Sequence, residues 1–371
     1  MARLGDIATY VNGYAFKPSD WSDIGIPIIR IQDLTGNSYQ ANRYNGEYDK
    51  RYEIHDGDVL ISWSASLGVY VWTGEKAVLN QHIFKVVFNK VEVDKSFFVH
   101  QVRNMLENAA SQAHGATMKH LTKPVFDALP FNLPSVVEQQ RISSVLDKLT
   151  NLISLRKQQL AKLDELVKAR FVEMFGDLSI NSMGWEFQKL SSLCDVRDGT
   201  HDSPEYQNEG YPLLTSKNFS SGIIDFSDCN LICEEDFEMI NRRSKVDYGD
   251  IIMPMIGTIG HPVIVDTDRP FAIKNVALIK FNNKEISNIF VKTVLDSDYF
   301  LNVTTANNRG GTQKFIALGD IRNIPIPIVP KELQIEFADF VKEVDRQKLT
   351  IQQSLDKLEV LRKSLMQEYF G

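Results

Sequence analysis

VVEQQRISSVLDKLTNLISLRKQQLAKLDELVKARFVEMF, residues 136–175, contains no proline or glycine, although Pro134 precedes it and Gly176 follows it. An unbroken run between a proline start and a glycine stop predicts a single α-helix. Its apolar residues keep a seven-residue spacing. Ile142, Leu149 and Leu163 fall on one track, and Leu146, Ile153, Leu160, Val167 and Met174 fall on a second, offset by four. That is the a/d seam of a coiled coil. Arg156 and Arg170 interrupt it, but their stems can lie along the seam with their heads in water. At 1.5 Å per residue the helix is roughly 60 Å long, too long for the interior of a small domain. The seam requires a partner helix.

The partner lies in the same chain. Adding 195 to each number carries Leu129-Pro130 to Ile324-Pro325, Gln139 to Gln334, Ile142 to Phe337, Leu146 to Val341 and Leu149 to Val344. Leu160-x-Lys162-Leu163 becomes Leu355-x-Lys357-Leu358, and Phe175-Gly176 becomes Phe370-Gly371. The stretch from Pro330 to Phe370 is again free of internal Pro and Gly, with Lys348 and Arg362 on the seam. A period this long is no solenoid repeat; it reads as a duplicated domain-plus-helix unit.

The segments between the helices repeat too. Residues 1–130 read as a mixed domain of short strands around 26–31, 59–63, 68–72 and 83–88, rich in β-branched and aromatic residues. A helix follows from Ser96, taken as its cap, to about Ala113. Residues 177–323 keep the same skeleton: Gly13 matches Gly199, Gly25-x-Pro27 matches Gly210-x-Pro212, and Gly57-Asp58 matches Gly249-Asp250. Gly115-x-Thr117-x-Lys119 likewise matches Gly310-x-Thr312-x-Lys314. The expected architecture is α+β: β-rich domains at 1–130 and 177–323, with spacer helices at 131–176 and 324–371 that pair as an antiparallel coiled coil.

Composition limits the function classes. The chain of 371 residues is 43% hydrophobic, ample for two cores. Three cysteines cannot make a disulfide framework, and Cys229 and Cys233 lack the second pair of a zinc site. Reduced thiols, no signal peptide and no apolar run of about 18 residues point to a cytoplasmic protein with no membrane role. The net charge is −7, and residues 177–323 alone carry −7, with 14 basic against 21 acidic residues. Net acidity disfavours nucleic-acid binding as a default, yet it permits a basic face on an acidic body.

The order domain, helix, domain, helix resembles the specificity subunits of type I restriction-modification systems. The helix entry Pro134-Ser135-Val136-Val137-Glu138-Gln139-Gln140-Arg141-Ile142 carries the resemblance, as do the Phe-Gly exits, the Asp198-Gly199-Thr200-His201 turn and the Gly-x-Thr-x-Lys loops. The second entry, Lys331-Glu332-Leu333-Gln334-Ile335, departs from the Gln-Gln-Arg-Ile form. The resemblance implies that each β-rich domain reads one half of a split double-stranded DNA target, and that the helices act as a spacer. It also implies two modification subunits that bind S-adenosylmethionine and methylate adenine, and restriction (motor) subunits that use ATP and magnesium. No cofactor or metal is then expected in this chain.

The residues themselves agree with a non-catalytic role. The sequence has no phosphate-binding Gly-x-x-x-x-Gly-Lys-Ser/Thr loop and no His-Glu-x-x-His. It also lacks the Asp/Asn-Pro-Pro-aromatic motif expected of an amino-methyltransferase. DNA reading needs Arg, Lys, Asn, Gln and hydroxyls for base edges, and Lys, Arg and backbone N–H groups for phosphates. Arg309, Thr312, Gln313 and Lys314 in a glycine-bearing loop fit this, as do their counterparts His114, Thr117, Lys119 and His120. Arg30 and Gln32 in Arg30-Ile31-Gln32-Asp33, and Lys217 and Asn218 in its counterpart Thr215-Ser216-Lys217-Asn218, form a second candidate set; Lys17, Thr200 and His201 form a third, at matching early turns. The competing readings are an ordinary flexible loop before a strand for the first set, a strand end with exposed polar groups for the second, and turn chemistry alone for the third. Gln139, Gln140 and Arg141 are candidates for partner binding on the outward helix face. The Glu234-Glu235-Asp236-x-Glu238 cluster reads as a solvated loop turned away from DNA. A two-headed protein-binding adaptor with a coiled-coil ruler is the alternative, and salt-dependent binding to duplex DNA separates the two readings.

Overall fold

A computed structural model describes residues 2–37, 42–112, 122–219, 222–256, 260–281, 285–305 and 315–371. The chain forms two compact units, one from residues 1–157 with 353–371 and one from residues 158–352. Each unit therefore includes parts of both long helices.

Among the described residues the first unit holds ten strands: β1 (Ala2–Arg3), β2 (Thr9–Asn12), β3 (Ile26–Ile29), β4 (Arg43–Tyr44), β5 (Glu53–Ile54), β6 (Val59–Ser62), β7 (Gly68–Val71), β8 (Ala77–Leu79), β9 (Ile83–Val87) and β10 (Pro130–Phe131). They form sheets in the orders β2-β9-β6-β7, β4-β3-β8-β5 and β1-β10. The second unit holds β11 (Phe187–Lys189), β12 (Asp195–Asp198), β13 (Tyr211–Leu214), β14 (Asn230–Ile232), β15 (Ile251–Pro254), β16 (Val263–Ile264), β17 (Ala272–Ile273), β18 (Val276–Lys280) and β19 (Pro325–Pro327). Their orders are β12-β18-β15-β16, β14-β13-β17 and β11-β19. Strand for strand this is the same topology, less, among the described residues, a counterpart of β5. Even the mixed pairing recurs, with β3 parallel to β8 and β13 parallel to β17.

Two glycines show why the skeleton is kept. A Cβ on Gly13 would lie 2.0 Å from the Asn80 carbonyl oxygen, and one on Gly199 would lie 2.4 Å from that of Ile273. At this crossing the backbones touch, and only glycine fits.

The long helices span Val136–Phe175 and Lys331–Phe370, 40 residues each and offset by the expected 195. In the first unit Ile142 and Leu146 share a core with Met366, Leu365 and Phe370. In the second, Phe171, Phe175 and Val167 share one with Phe337, Leu333 and Val341. Early residues of one helix thus meet late residues of the other, which is antiparallel pairing. The seam charges find partners across the pair: Arg170 with Glu336 at 2.7 Å, Lys348 with Asp164 at 2.6 Å.

Three expectations are corrected. The head helix of the first unit spans Lys95–Gln112, and its cap is Asp94, whose Oδ1 accepts from the Phe97 N–H at 2.8 Å. Ser96 instead donates to Asp147 Oδ1 at 2.5 Å. The Glu234 cluster is the first turn of a helix, Glu234–Ser244, where carboxylates complement the helix dipole.

Gln139 is not on the outward face; it is 1% exposed. Its Oε1 accepts from the Asp94 N–H at 2.9 Å, and its Nε2 donates to the Pro134 carbonyl at 2.8 Å. Gln334 repeats this, accepting from Ser287 N–H and donating to the Val329 carbonyl, both at 2.8 Å. Each amide ties the entry of a long helix to the start of a head helix, because a buried amide must satisfy both its ends.

Candidate nucleic-acid interface

In each unit two of the candidate turns meet at one short segment. In the first, Tyr14 N–H donates to the Leu79 carbonyl at 2.8 Å, Gln81 N–H to the Tyr14 carbonyl at 2.8 Å, and Asn80 N–H to the Ile29 carbonyl at 3.0 Å. The turn that leads to Lys17 and the turn that begins at Arg30 are therefore both stitched to residues 79–81. In the second unit Thr200 N–H donates to the Ile273 carbonyl at 3.0 Å, and Lys274 N–H to the Leu214 carbonyl at 2.9 Å. That brings Thr200 and His201 to the same place as the turn carrying Lys217. The residues just before the next strand, His82 and Asn275, both hold left-handed backbone, with φ of +72° and +56°, a conformation that non-glycine residues adopt at a cost.

The candidates differ in what their side chains do there. Lys17 is exposed, and Gln32 is half-buried. Arg30 lies over the Trp21 ring at 5.3 Å and 3.7 Å from Asp33. Lys217 is exposed and paired with Asp228 at 2.8 Å. Asn218 is corrected to a structural role. It is buried; its Oδ1 accepts from Thr215 N–H at 2.9 Å, and its Nδ2 donates to the Asp225 and Asp228 carbonyls, each at 2.9 Å. Its counterpart Asp33 does the same job, accepting from Arg30 N–H at 2.7 Å. Gln140 and Arg141 are exposed, and Arg141 pairs with Glu138 at 2.7 Å and lies 5.9 Å from the Tyr369 ring. His114, Thr117, Lys119, His120, Arg309, Thr312, Gln313 and Lys314 lie outside the described residues.

Sequence reasoning missed the segment to which both turns are tied. Asn80-Gln81-His82 and Lys274-Asn275 are polar islands between two apolar strands, and that contrast was the available signal. It also missed what reaches the turn from the segment before β6 or β15. In the first unit the Tyr52 ring lies 5.5 Å from Tyr14, and the Arg51 guanidinium lies 4.6 Å above Tyr52. In the second, Arg243 from the Glu234–Ser244 helix pairs with Asp198.

His201 bridges Asp198 Oδ2 at 2.9 Å and Asn275 Oδ1 at 2.8 Å. The Asn275 bond, then that to Asp198, raises the imidazole above its ordinary pKa. Among the described residues no cluster of His, Cys, Asp and Glu could hold a metal ion. The three cysteines are free, and burial pushes the Cys194 thiol up to about 12.

One strand framework built twice, with turns of unlike polar chemistry at matched positions, defines a duplicated recognition protein. The family described as type I restriction modification DNA specificity domain matches residues 1–165 and again 183–360, and the chain belongs to it. It is similar to the type I restriction enzyme EcoBI specificity subunit of Escherichia coli, 24% identical over 92% of this chain and 78% of that one. The MjaVIII specificity subunit of Methanocaldococcus jannaschii is 22% identical over 99% of this chain and 90% of its own. A crystal structure of the S subunit from M. genitalium shares the fold, with a TM-score of 0.59 at 14% identity, covering all of this chain and 95% of the other. The chain is thus a specificity subunit: it supplies DNA recognition to a type I restriction-modification system, and methylase and restriction subunits carry the catalysis. The adaptor alternative falls with that assignment.

Proposed function

We propose that each unit reads one half of a split duplex target. The observation that supports this is chemical divergence on a constant frame. Strand order, crossing glycines and helix-anchoring glutamines repeat, while the positions of Asn12, Tyr14 and Ala15 in the first unit are taken by Asp198, Thr200 and His201 in the second. Two unlike readers on one frame suit two unlike half-sequences, since base edges are told apart by side-chain donors and acceptors.

Lys17, Arg30, Gln32, Thr200, His201 and Lys217 are the proposed DNA-facing set, together with the loop residues at 114–120 and 309–314. Two modification subunits take the exposed faces of the long helices, with Gln140 and Arg141 among the contacts. S-adenosylmethionine belongs to those subunits, ATP and magnesium to the restriction subunits, and the assembly works in the cytoplasm. No helix among the described residues is long and apolar enough to cross a membrane.

Methylation mapping of DNA from cells that carry the chain with its modification subunits tests the proposal. The expected result is adenine methylation in one motif of two short half-sequences around an unread gap. A continuous motif, or no motif, would refute it.

A further inference from the structure

Asp198 ends β12 with its side chain only 9% exposed, yet two exposed cations share it. Arg243 Nη2 donates to Oδ1, and His201 Nε2 lies 2.9 Å from Oδ2. The other imidazole nitrogen meets a second acceptor, Asn275 Oδ1, at 2.8 Å. An imidazole satisfies two acceptors at once only as the imidazolium, with both nitrogens donating. While His201 is protonated the cluster is one anion between two cations, with a net charge of +1, inside a domain whose overall charge is strongly negative.

The Arg243 head is 66% exposed, and its bond to Asp198 uses only the Nη2 end of the guanidinium. The rest of the guanidinium is left exposed next to Asp198. Lys274 adds a further cation nearby, donating to Ser203 Oγ at 2.5 Å. Arg197 is turned aside, with its head on Asp195 and on the Arg243 carbonyl. The matched place in the first unit is uncharged at the turn itself, with Trp63 Nε1 on Asn12 at 3.1 Å. There too, however, the segment before β6 brings an arginine, Arg51, to the turn.

We propose that Arg243 contacts the acceptor oxygens or nitrogens of DNA in the half-site read by the second unit, and that Asp198 and His201 are the residues that position it. This rests on the DNA-reading assignment above. A lone carboxylate under Arg243 would cancel the guanidinium's attraction for DNA. The imidazolium offsets that carboxylate, so the contact is strong only while His201 is protonated. The charged groups facing the imidazole are Asp198 from β12 and Arg243 from the helix, with Lys274 at the β17 end. The raised pKa of His201 places the loss of this contact above the ordinary histidine range.

The experiment is equilibrium binding of the full chain, assembled with its modification subunits, to the methylation-mapped duplex across salt and pH. R243Q should bind roughly 5- to 100-fold more weakly. If Arg243 reads a base, the loss falls at one position of one half-site, and R243K fails to restore it. If it holds a phosphate, all sequences weaken alike, the salt slope falls by about one, and R243K restores binding. Wild-type affinity should drop as pH rises through the His201 pKa, by at most about tenfold per pH unit; H201Q should be flat. Thermal melts of each variant establish that it is folded, and R243A serves if R243Q is not. Specific binding by the wild type with unchanged affinity, salt slope and pH profile in R243Q and R243K would overturn this inference alone. A pH drop that persists in H201Q would remove His201 from it. Absence of specific binding by the wild type would overturn the DNA-reading assignment instead.

Discussion

At the scale of single residues, polar side chains divide into those that tie the chain to itself and those left outward. Gln139 and Gln334 belong to the first kind. Their recurrence was legible in the sequence; their burial was not, because the N–H groups they satisfy belong to Asp94 and Ser287, 45 and 47 residues away. Replacing Gln139 by Ala strands a half-buried donor and a half-buried acceptor, and should cost about 1–3 kcal/mol. Urea unfolding checks this; an unchanged midpoint would return Gln139 to the list of partner contacts. Two histidines make an opposed pair. Burial, opposed by the bond to Asp147 at 2.8 Å, holds His100 below its ordinary pKa, whereas His201 is raised. Between its folded pKa and about 6.5 the unfolded chain binds more protons at His100, so falling pH destabilises the fold through that residue. His201 acts with the opposite sign. Its contribution is present below about 6.5 and is lost as pH rises through its folded value, and exposure keeps it small. Proton–carbon NMR of the imidazole C–H groups should show His201 titrating above His100, and the reverse order would contradict the geometry.

At the scale of elements, the seven-residue tracks correctly named the seam. Every seam position from Ile142 to Met174 is buried or half-buried. The grading along the seam was not legible. Ile142, Leu146, Leu149 and Ile153 are buried, while Leu160, Leu163 and Val167 are half-buried. The heptad treats these positions alike. Head residues also close over the helix ends. Phe97 meets Phe370 at 5.4 Å in the first unit, and the matched Phe290 meets Phe175 at 4.9 Å in the second. Each unit therefore grips the start of one long helix through its glutamine and the end of the other through a phenylalanine. The Phe-Gly exits, legible as a repeat, are anchors for this reason. Leu149→Ala and Leu355→Ala each remove a buried side chain and should cost about 2–4 kcal/mol. Lys157→Ala, which breaks a solvent-exposed pair with Glu359, should cost less than about 1 kcal/mol. Chemical denaturation ranks the three, and comparable losses for all would mean that ion pairs rather than the seam hold the helices together.

At the scale of the whole molecule, the duplication was legible because glycines at backbone crossings cannot drift, and the helix offset of 195 held to the residue. The inserted segments before β6 and β15 were not legible, since a short 3₁₀ turn in one unit and an eleven-residue helix in the other occupy the same topological slot. The boundary between the units falls within the long helices, after Lys157 in the first and after Gln352 in the second. If the helices act as the spacer between two readers, those two points are where length can be added without touching either framework. Four residues inserted at each add about 6 Å and about 40° of turn. Duplex DNA rises about 3.4 Å per base pair and turns about 35° per pair at 10–10.5 pairs per turn. One pair matches the added turn and two pairs match the added length. Because four is not seven, a single insertion would slip the seam, whereas paired insertions shift both helices together. The paired variant is expected to methylate the same two half-sequences across a gap longer by one or two base pairs, read by methylation mapping. An active variant with its gap unchanged would show that something other than helix length sets the spacing.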